Sequence, residues 1–306
     1  WNQVQARRMT MQRRKTKTTT LNESVGRIKS GMVIGLSGFS YMNPPMAFAR
    51  EIIKKKIKNL TVVSGPTSGI ETDVLIGAGC VKKLVTSCVS FEKIESVAPN
   101  FRKAAESAGI EIWECDESIW HVALKAGIYG MPYMLWRGGI GSSIPELNRE
   151  IKEVRVDGKK YLKIPQIKID LSFLHCGLSD AYGNVQFPEN IFLGRLFCEQ
   201  ELAEASKQVV CSVEKIISNE LIVKNAHRTI IRNASVIELP FGAHPGASNG
   251  FYVPDLNHYR EYARLCKEDK FGKYLDKYVF SSGNHEDYMK IIGKDNLERL
   301  NFRLKR

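Results

Sequence analysis

The sequence predicts an α/β fold: an open, mainly parallel sheet flanked by helices on both faces, with an inserted hairpin and a helical C-terminal region. Three observations lead there. Apolar, β-branched runs recur along the 306 residues and are too continuous to be half-solvated strands. Amphipathic segments at helical spacing stand between them. No apolar run approaches the roughly 18 residues of a membrane span. With 43% hydrophobic residues, a chain of this length can bury a full core.

Taken in order, residues 1–20 read as a basic, unstructured tail, and residues 21–306 as one domain. Strands are expected at Met32 to Leu36, Leu60 to Ser64, Leu84 to Val89, Ile110 to Trp113, Tyr133 to Trp136, Leu171 to His175, Val209 to Val213 and Val236 to Leu239. Helices are expected at Met46 to Lys58, Pro99 to Ala108 and Glu117 to Tyr129. In the first of these, Met46, Ala49, Ile53 and Ile57 share one face, opposite Lys54, Lys55, Lys56 and Lys58. Between Val154 and Ile164, Asp157-Gly158 separates two short β-prone runs and marks a hairpin inserted between two halves of one fold. After Pro254 the segments Leu256 to Lys267, Phe271 to Tyr278 and His285 to Ile292 read as helices wrapping the sheet.

The net charge of +12 raises nucleic-acid binding as a class. Six of those charges, on Arg7, Arg8, Arg13, Arg14, Lys15 and Lys17, sit in the acid-free first 20 residues. The rest of the chain shows no aromatic interleaving and no nucleic-acid motif, so neither nucleic acid nor membrane is expected as a partner. Seven cysteines are scattered with no C-x-x-C pair. Reduced thiols in a cytoplasmic protein are the expectation, with no disulfide framework and no metal site.

Chemistry in such a sheet belongs at the carboxyl ends of the strands. There the sequence places Ser37-Gly38-Phe39 before Pro44-Pro45, a tight turn leading into a helix. Gly38 lets backbone approach a ligand, and N–H groups of the turn and helix start are expected to face developing negative charge. Gly65-Pro66-Thr67-Ser68-Gly69, Glu114-Cys115-Asp116-Glu117, Arg137-Gly138-Gly139-Ile140-Gly141-Ser142 and Phe241-Gly242-Ala243-His244-Pro245 follow other strands. None is a phosphate-binding P-loop, because no Gly-Lys-Ser/Thr follows the glycines, and Gly139-Ile140-Gly141 lacks the third glycine of a dinucleotide fingerprint.

The ordered series of these loops carries a resemblance. Gly38-Phe39 with Pro45, Asp73 to Gly79 with Val81-Lys82-Lys83, Glu114 to Glu117, Arg137 to Ser142, Tyr182-Gly183-Asn184-Val185-Gln186, Val213 to Ile217 and Gly242 to Pro245 are its landmarks. On them, residues 21–293 resemble the α (A) subunit of family I CoA-transferases, of the glutaconate CoA-transferase A-subunit type. The resemblance implies the CoA-transferase / NagB-RpiA-like fold and coenzyme A as substrate, with no metal or prosthetic group. It also implies a β subunit that supplies a nucleophilic glutamate from a Ser-Glu-Asn-Gly motif. Here the nearest match, Pro188-Glu189-Asn190-Ile191, lacks both the serine and the glycine, so the chain is expected to be incomplete alone. Ser37 and Asn43 stand where the family prefers glycine.

On that resemblance Ser37, Gly38, Phe39 and Ser68 form the oxyanion and acyl wall, while Gly138, Gly139, Gly141 and Ser142 line the CoA or substrate loop. The acid acted on is small, dicarboxylic acids included. Glu117 is the one catalytic candidate within the chain: Asp116 beside it is able to raise its pKa by like-charge repulsion, as a general base requires. Ring-opening CoA hydrolases of steroid degradation share the fold and use a glutamate in a similar Asp-Glu segment. The alternative is capping, with Asp116 as N-cap and Glu117 favoured by the helix dipole. His121 reads as packed or exposed, His244 has no assigned role, and the remaining histidines form no metal cluster. Three functions stay open: a transferase subunit, a CoA-thioester or ring-opening hydrolase subunit, and a non-enzymatic ligand-sensing module on the same fold.

Overall fold

The computed structural model describes residues 14–189, 191 and 198–302. In chain order the strands are β1 (Val33–Leu36), β2 (Leu60–Ser64), β3 (Thr67–Ser68), β4 (Val81–Val85), β5 (Cys88–Val89), β6 (Glu111–Trp113), β7 (Tyr133–Trp136), β8 (Lys152–Val156), β9 (Lys159–Pro165), β10 (Ile169–Ser179), β11 (Val185–Gln186), β12 (Ser206–Ile216), β13 (Thr229–Ile231) and β14 (Ser235–Glu238). The order β6-β4-β2-β1-β10-β12-β14 is parallel throughout, as expected from strands that are apolar on both faces. The two-residue β11 adds antiparallel to the end of β10, and β13 pairs with it.

Alternate residues of each strand feed two cores. Val62, Leu84 and Phe173 pack with the helices Met46–Lys54, Ile70–Gly77 and Leu256–Lys267. Their chain neighbours Val63, Val85 and Leu174 pack on the other face with Ile119, Trp120, Ala123 and Leu124 of the helix Glu117–Ile128. Each such side chain contributes roughly 1.5–3 kcal/mol relative to exposure, which is what makes the sheet central. The C-terminal helices bring Tyr259, Tyr262, Tyr274 and Tyr288 into the first core, all fully buried.

Four expectations need correction. The helix from Met46 ends at Lys54; Lys56 and Asn59 take positive φ, so the lysine run turns the chain into β2. The run expected from Leu84 to Val89 divides into β4 and β5, and β5 pairs with β3 in a small separate sheet. Tyr133 to Trp136 does not join the central sheet: β7 pairs antiparallel with β9 of the inserted hairpin, whose turn is Asp157-Gly158 as expected. Finally, of the basic segment 1–20, residues 1–13 lie outside the described residues. Thr18 bridges β14 in parallel, the Lys17 and Thr19 N–H groups donate to Ala181 and Val236 oxygens, and packed chain therefore begins before residue 21.

Candidate active site

The Gly38 turn follows β1, in the middle of the sheet. Gly38 has φ +123°, a conformation L side chains rarely adopt, and Phe39 and Met42 bond each other's backbone to close the turn. The loop after β2 presses against it: a Cβ on Gly65 would stand 1.9 Å from the Gly38 oxygen. Most N–H groups expected to face a ligand are satisfied internally. That of Phe39 donates to Met42 O and that of Ser40 to Thr67 O, while those of Met46 and Ala47, at the helix start, donate to Pro44 O and Gly242 O. The Gly38 N–H finds no acceptor among the described residues. The oxyanion candidate thus narrows from a turn plus a helix end to one donor.

The two residues that replace family glycines have structural work. The buried Ser37 Oγ donates to Asn43 O at 3.0 Å and accepts the His175 N–H at 3.1 Å, tying the turn to β10. Asn43 sits at φ +49°, and asparagine tolerates that region better than most residues. Its side chain bonds Glu199 Oε1 at 3.2 Å and the Asn249 N–H at 3.1 Å.

Beneath the turn lies a polar network that sequence reasoning missed. His175 of β10 is fully buried, with Nδ1 2.9 Å from Ser212 Oγ and Nε2 2.8 Å from Glu214 Oε1 of β12. Ser248 Oγ is 3.2 Å from Nε2, and Glu214 Oε2 accepts the Phe241 N–H at 2.9 Å. The signal was present: Ser172, His175 and Ser179, with Ser212 and Glu214, are polar positions inside otherwise apolar strands. Most buried polar groups have partners, and among these His175, Ser212 and Glu214 find one another.

Ser68, expected in the acyl wall, is fully buried, and its hydroxyl donates to Cys88 O at 3.4 Å within the β3–β5 pair. Asp116 caps its helix, Oδ1 accepting from the Ile119 N–H at 2.7 Å and from Ser118 Oγ at 2.8 Å. Asp116→Ala is expected to cost about 1 kcal/mol of stability by urea unfolding. Glu117 is 57% exposed and stands 3.9 Å from His121 Nε2. The loop of Gly138, Gly139, Gly141 and Ser142 lies over the same helix start: a Cβ on Gly138 would meet Ser118 Oγ, and Ser142 Oγ donates back to Gly139 O at 2.6 Å.

A cavity of about 360 Å³ lies between the helices Glu117–Ile128 and Glu199–Glu204, lined by His121, Lys125, Tyr129, Cys198, Glu201 and Glu204 among others. His121 Nδ1 bonds Glu201 Oε2, and Lys125 Nζ is 3.6 Å from Glu201 Oε1. At its inner end Cys198 Sγ lies 3.8 Å from Gly38 O. His121, read from sequence as packed or exposed, is thus a cavity residue between two carboxylates.

The histidine expectation is also revised. Ligand atoms of His244, Asp255 and His258 come within 4.8 Å of one another. Both ring nitrogens of His244 are engaged, Nδ1 with Tyr288 Oη at 2.7 Å and Nε2 with Asp255 at 3.3 Å, and His258 Nε2 is bonded to Tyr274 Oη at 3.0 Å. Burial holds both histidines below their usual pKa, and the Arg50 guanidinium, donating to His244 O, adds positive charge beside them. The trio fits a hydrogen-bonded core better than a cation site. Of the Pro188 to Ile191 segment, Asn190 lies outside the described residues; Glu189 is 83% exposed, 3.7 Å from Arg228 Nη1.

The family model described as coenzyme A transferase matches residues 18–237. The cholesterol ring-cleaving hydrolase IpdA subunit of Mycobacterium tuberculosis is 30% identical over 291 residues, 90% of this chain and 97% of that one. The A-subunit of glutaconate CoA-transferase from Acidaminococcus fermentans is 26% identical over 308 residues, 93% and 94% of the two chains. The solved structure of glutaconate coenzyme A-transferase from that organism matches with a TM-score of 0.87 at 25% identity, over 94% of this chain and 96% of that one. A protein of Archaeoglobus fulgidus, 29% identical over 294 residues and 93% of this chain, is longer, and the chain spans 64% of its length. No helix among the described residues is long and apolar enough to cross a membrane. The chain belongs to the coenzyme A transferase family.

Proposed function

We propose that this chain is the α subunit of a heteromeric CoA-transferase that moves CoA between an acyl-CoA and a small carboxylic acid, with a β subunit supplying the nucleophile. The observation that carries this reading is a Gly38 N–H at a central strand end with no acceptor among the described residues, in a chain whose own Glu189 is exposed and paired with Arg228. The partner's glutamate attacks the thioester carbonyl, and the Gly38 N–H stabilises the resulting oxyanion. Collapse releases CoA thiolate and leaves a mixed anhydride. The thiolate then attacks the glutamyl carbonyl, expelling the first acid and leaving a glutamyl-CoA thioester for the second acid to reverse. Ser37 and Asn43 hold the turn; the loop at Gly138, Gly139, Gly141 and Ser142 borders the site beside Glu117. CoA enters as substrate, and the reading calls for no metal or prosthetic group.

The test is co-expression with the β subunit, followed by a CoA-exchange assay across short mono- and dicarboxylic acids. Borohydride, which reduces a glutamyl thioester, is expected to mark the partner chain. A mark on this chain, or full exchange by it alone, would overturn the assignment.

One observation favours a second reading, a CoA-thioester or ring-opening hydrolase subunit. His121 and Glu201 line one cavity and Glu117 stands 3.9 Å from the same imidazole, so a carboxylate–imidazole pair there is able to take a proton from water. Glu117→Ala separates the two: CoA exchange is expected to survive largely intact, whereas a hydrolase would lose its turnover.

A further inference from the structure

We propose that the Glu71 carboxyl is a neutral acid seated beneath the Gly38 turn, and that its charge state sets how much negative charge the turn can hold. The proposal rests on the transferase reading in one respect, the use of Gly38 as an oxyanion donor. Glu71 is the second residue of the helix Ile70–Gly77 and is fully buried. Its Oε1 accepts the Gly69 N–H at 2.8 Å and stands 3.4 Å from Thr72 Oγ1. Its Oε2 has no hydrogen-bond partner among the described residues. A Cβ on Gly38 would sit 3.2 Å from Oε1, so carboxyl and turn are in contact.

The groups facing Glu71 offer no compensating positive charge. On its own helix stands Asp73; from the Leu256–Lys267 helix comes Tyr259, whose buried hydroxyl is also unpartnered among the described residues; from the start of the Glu199–Glu204 helix comes Cys198. No lysine, arginine or histidine pairs with Glu71 among the described residues. The helix N-terminus and the Gly69 N–H favour the carboxylate, but the loss of hydration outweighs them, because one oxygen is left with nothing. Burial accordingly pushes the Glu71 carboxyl up to about 7. A neutral acid leaves Gly38 free to polarise a carbonyl oxygen. An ionised one places a like charge against the same turn, where low dielectric makes the repulsion large.

Three measurements test this. In the assembled enzyme, wild-type kcat is expected to fall as pH rises through neutrality, approaching about tenfold per unit, while Glu71→Gln keeps the low-pH rate and loses that limb with little change in KM. A Glu71→Gln profile that retains the limb would overturn the proposal. Without any activity, the infrared carboxylic-acid C=O band of wild type, assigned with isotope-labelled glutamate, is expected to persist at pH 6 and fade by pH 8. Its absence at pH 6 would overturn the proposal even if the variant failed to fold, and its presence in a chain without exchange activity would count against the transferase reading alone. Stability supplies the third readout. A folded pKa raised from 4.5 to about 7 gives stabilisation fully present below 4.5 and lost as pH rises through 7. Asp73, raised by burial to about 6, slopes the same way in both proteins. The Gln variant should therefore show a flatter pH dependence of melting than wild type, and equal slopes would contradict a buried neutral acid.

Discussion

Gly65→Ala is expected to lower CoA-exchange turnover by about 100- to 1,000-fold, the usual effect of losing one oxyanion donor. Residue 65 touches no substrate in this reading; it touches the turn. The added methyl carbon would stand 1.9 Å from the Gly38 oxygen and 3.3 Å from Cys198 Sγ, and neither neighbour is the loose end of a flexible side chain. The Gly38 carbonyl must therefore move, and the turn that carries the Gly38 N–H must shift with it. The loss should fall on kcat with KM little changed, because the oxyanion interaction exists only in the transition state. Gly272→Ala, which meets nothing within 4 Å, is the control for a glycine-to-alanine change as such. A folded Gly65→Ala enzyme turning over within a few-fold of wild type would remove Gly38 from the mechanism.

The parts of this molecule that were legible from sequence are those set by local pattern. Continuous apolar runs gave the parallel strands, Asp157-Gly158 the hairpin turn, and Asp116 the cap of its helix. What failed to show depends on which elements meet. Tyr133 to Trp136 is as apolar as a central strand, yet three of its four residues are exposed because it pairs with an inserted hairpin. Ser68 is an acyl-wall candidate through the family resemblance alone; a serine in a Gly-Pro loop often bonds nearby backbone, and the carbonyl that its hydroxyl finds belongs to β5. The N–H groups of the Met46 helix were expected to be open, and a carbonyl from residue 242, nearly 200 positions away, fills one of them. His121 gained its place in the cavity only because Glu201, from another helix, packs against it. Long-range partners decide each of these cases, and no short window contains them.

The same dependence makes His175 the residue whose side chain should matter most to stability. His175→Ala is expected to cost about 3–5 kcal/mol in urea unfolding of the full chain, the range for removing one partner of a buried pair. The imidazole links β10 to β12 through Ser212 and Glu214, and it also reaches Ser248. Without it, Glu214 keeps the Phe241 N–H on Oε2 and loses its imidazole partner on Oε1, at a side chain only 5% exposed. His175→Gln, able to offer a side-chain amide, should recover part of the loss, which a pure cavity effect would not allow. The contact of His175 with the Gly38 turn, by contrast, is its backbone N–H to Ser37 Oγ, and substitution leaves that group in place. Side-chain loss should thus lower the urea midpoint far more than it lowers kcat of the enzyme that remains folded. If kcat fell instead with the midpoint unmoved, the His175 network would belong to the chemistry and not to the frame that holds it.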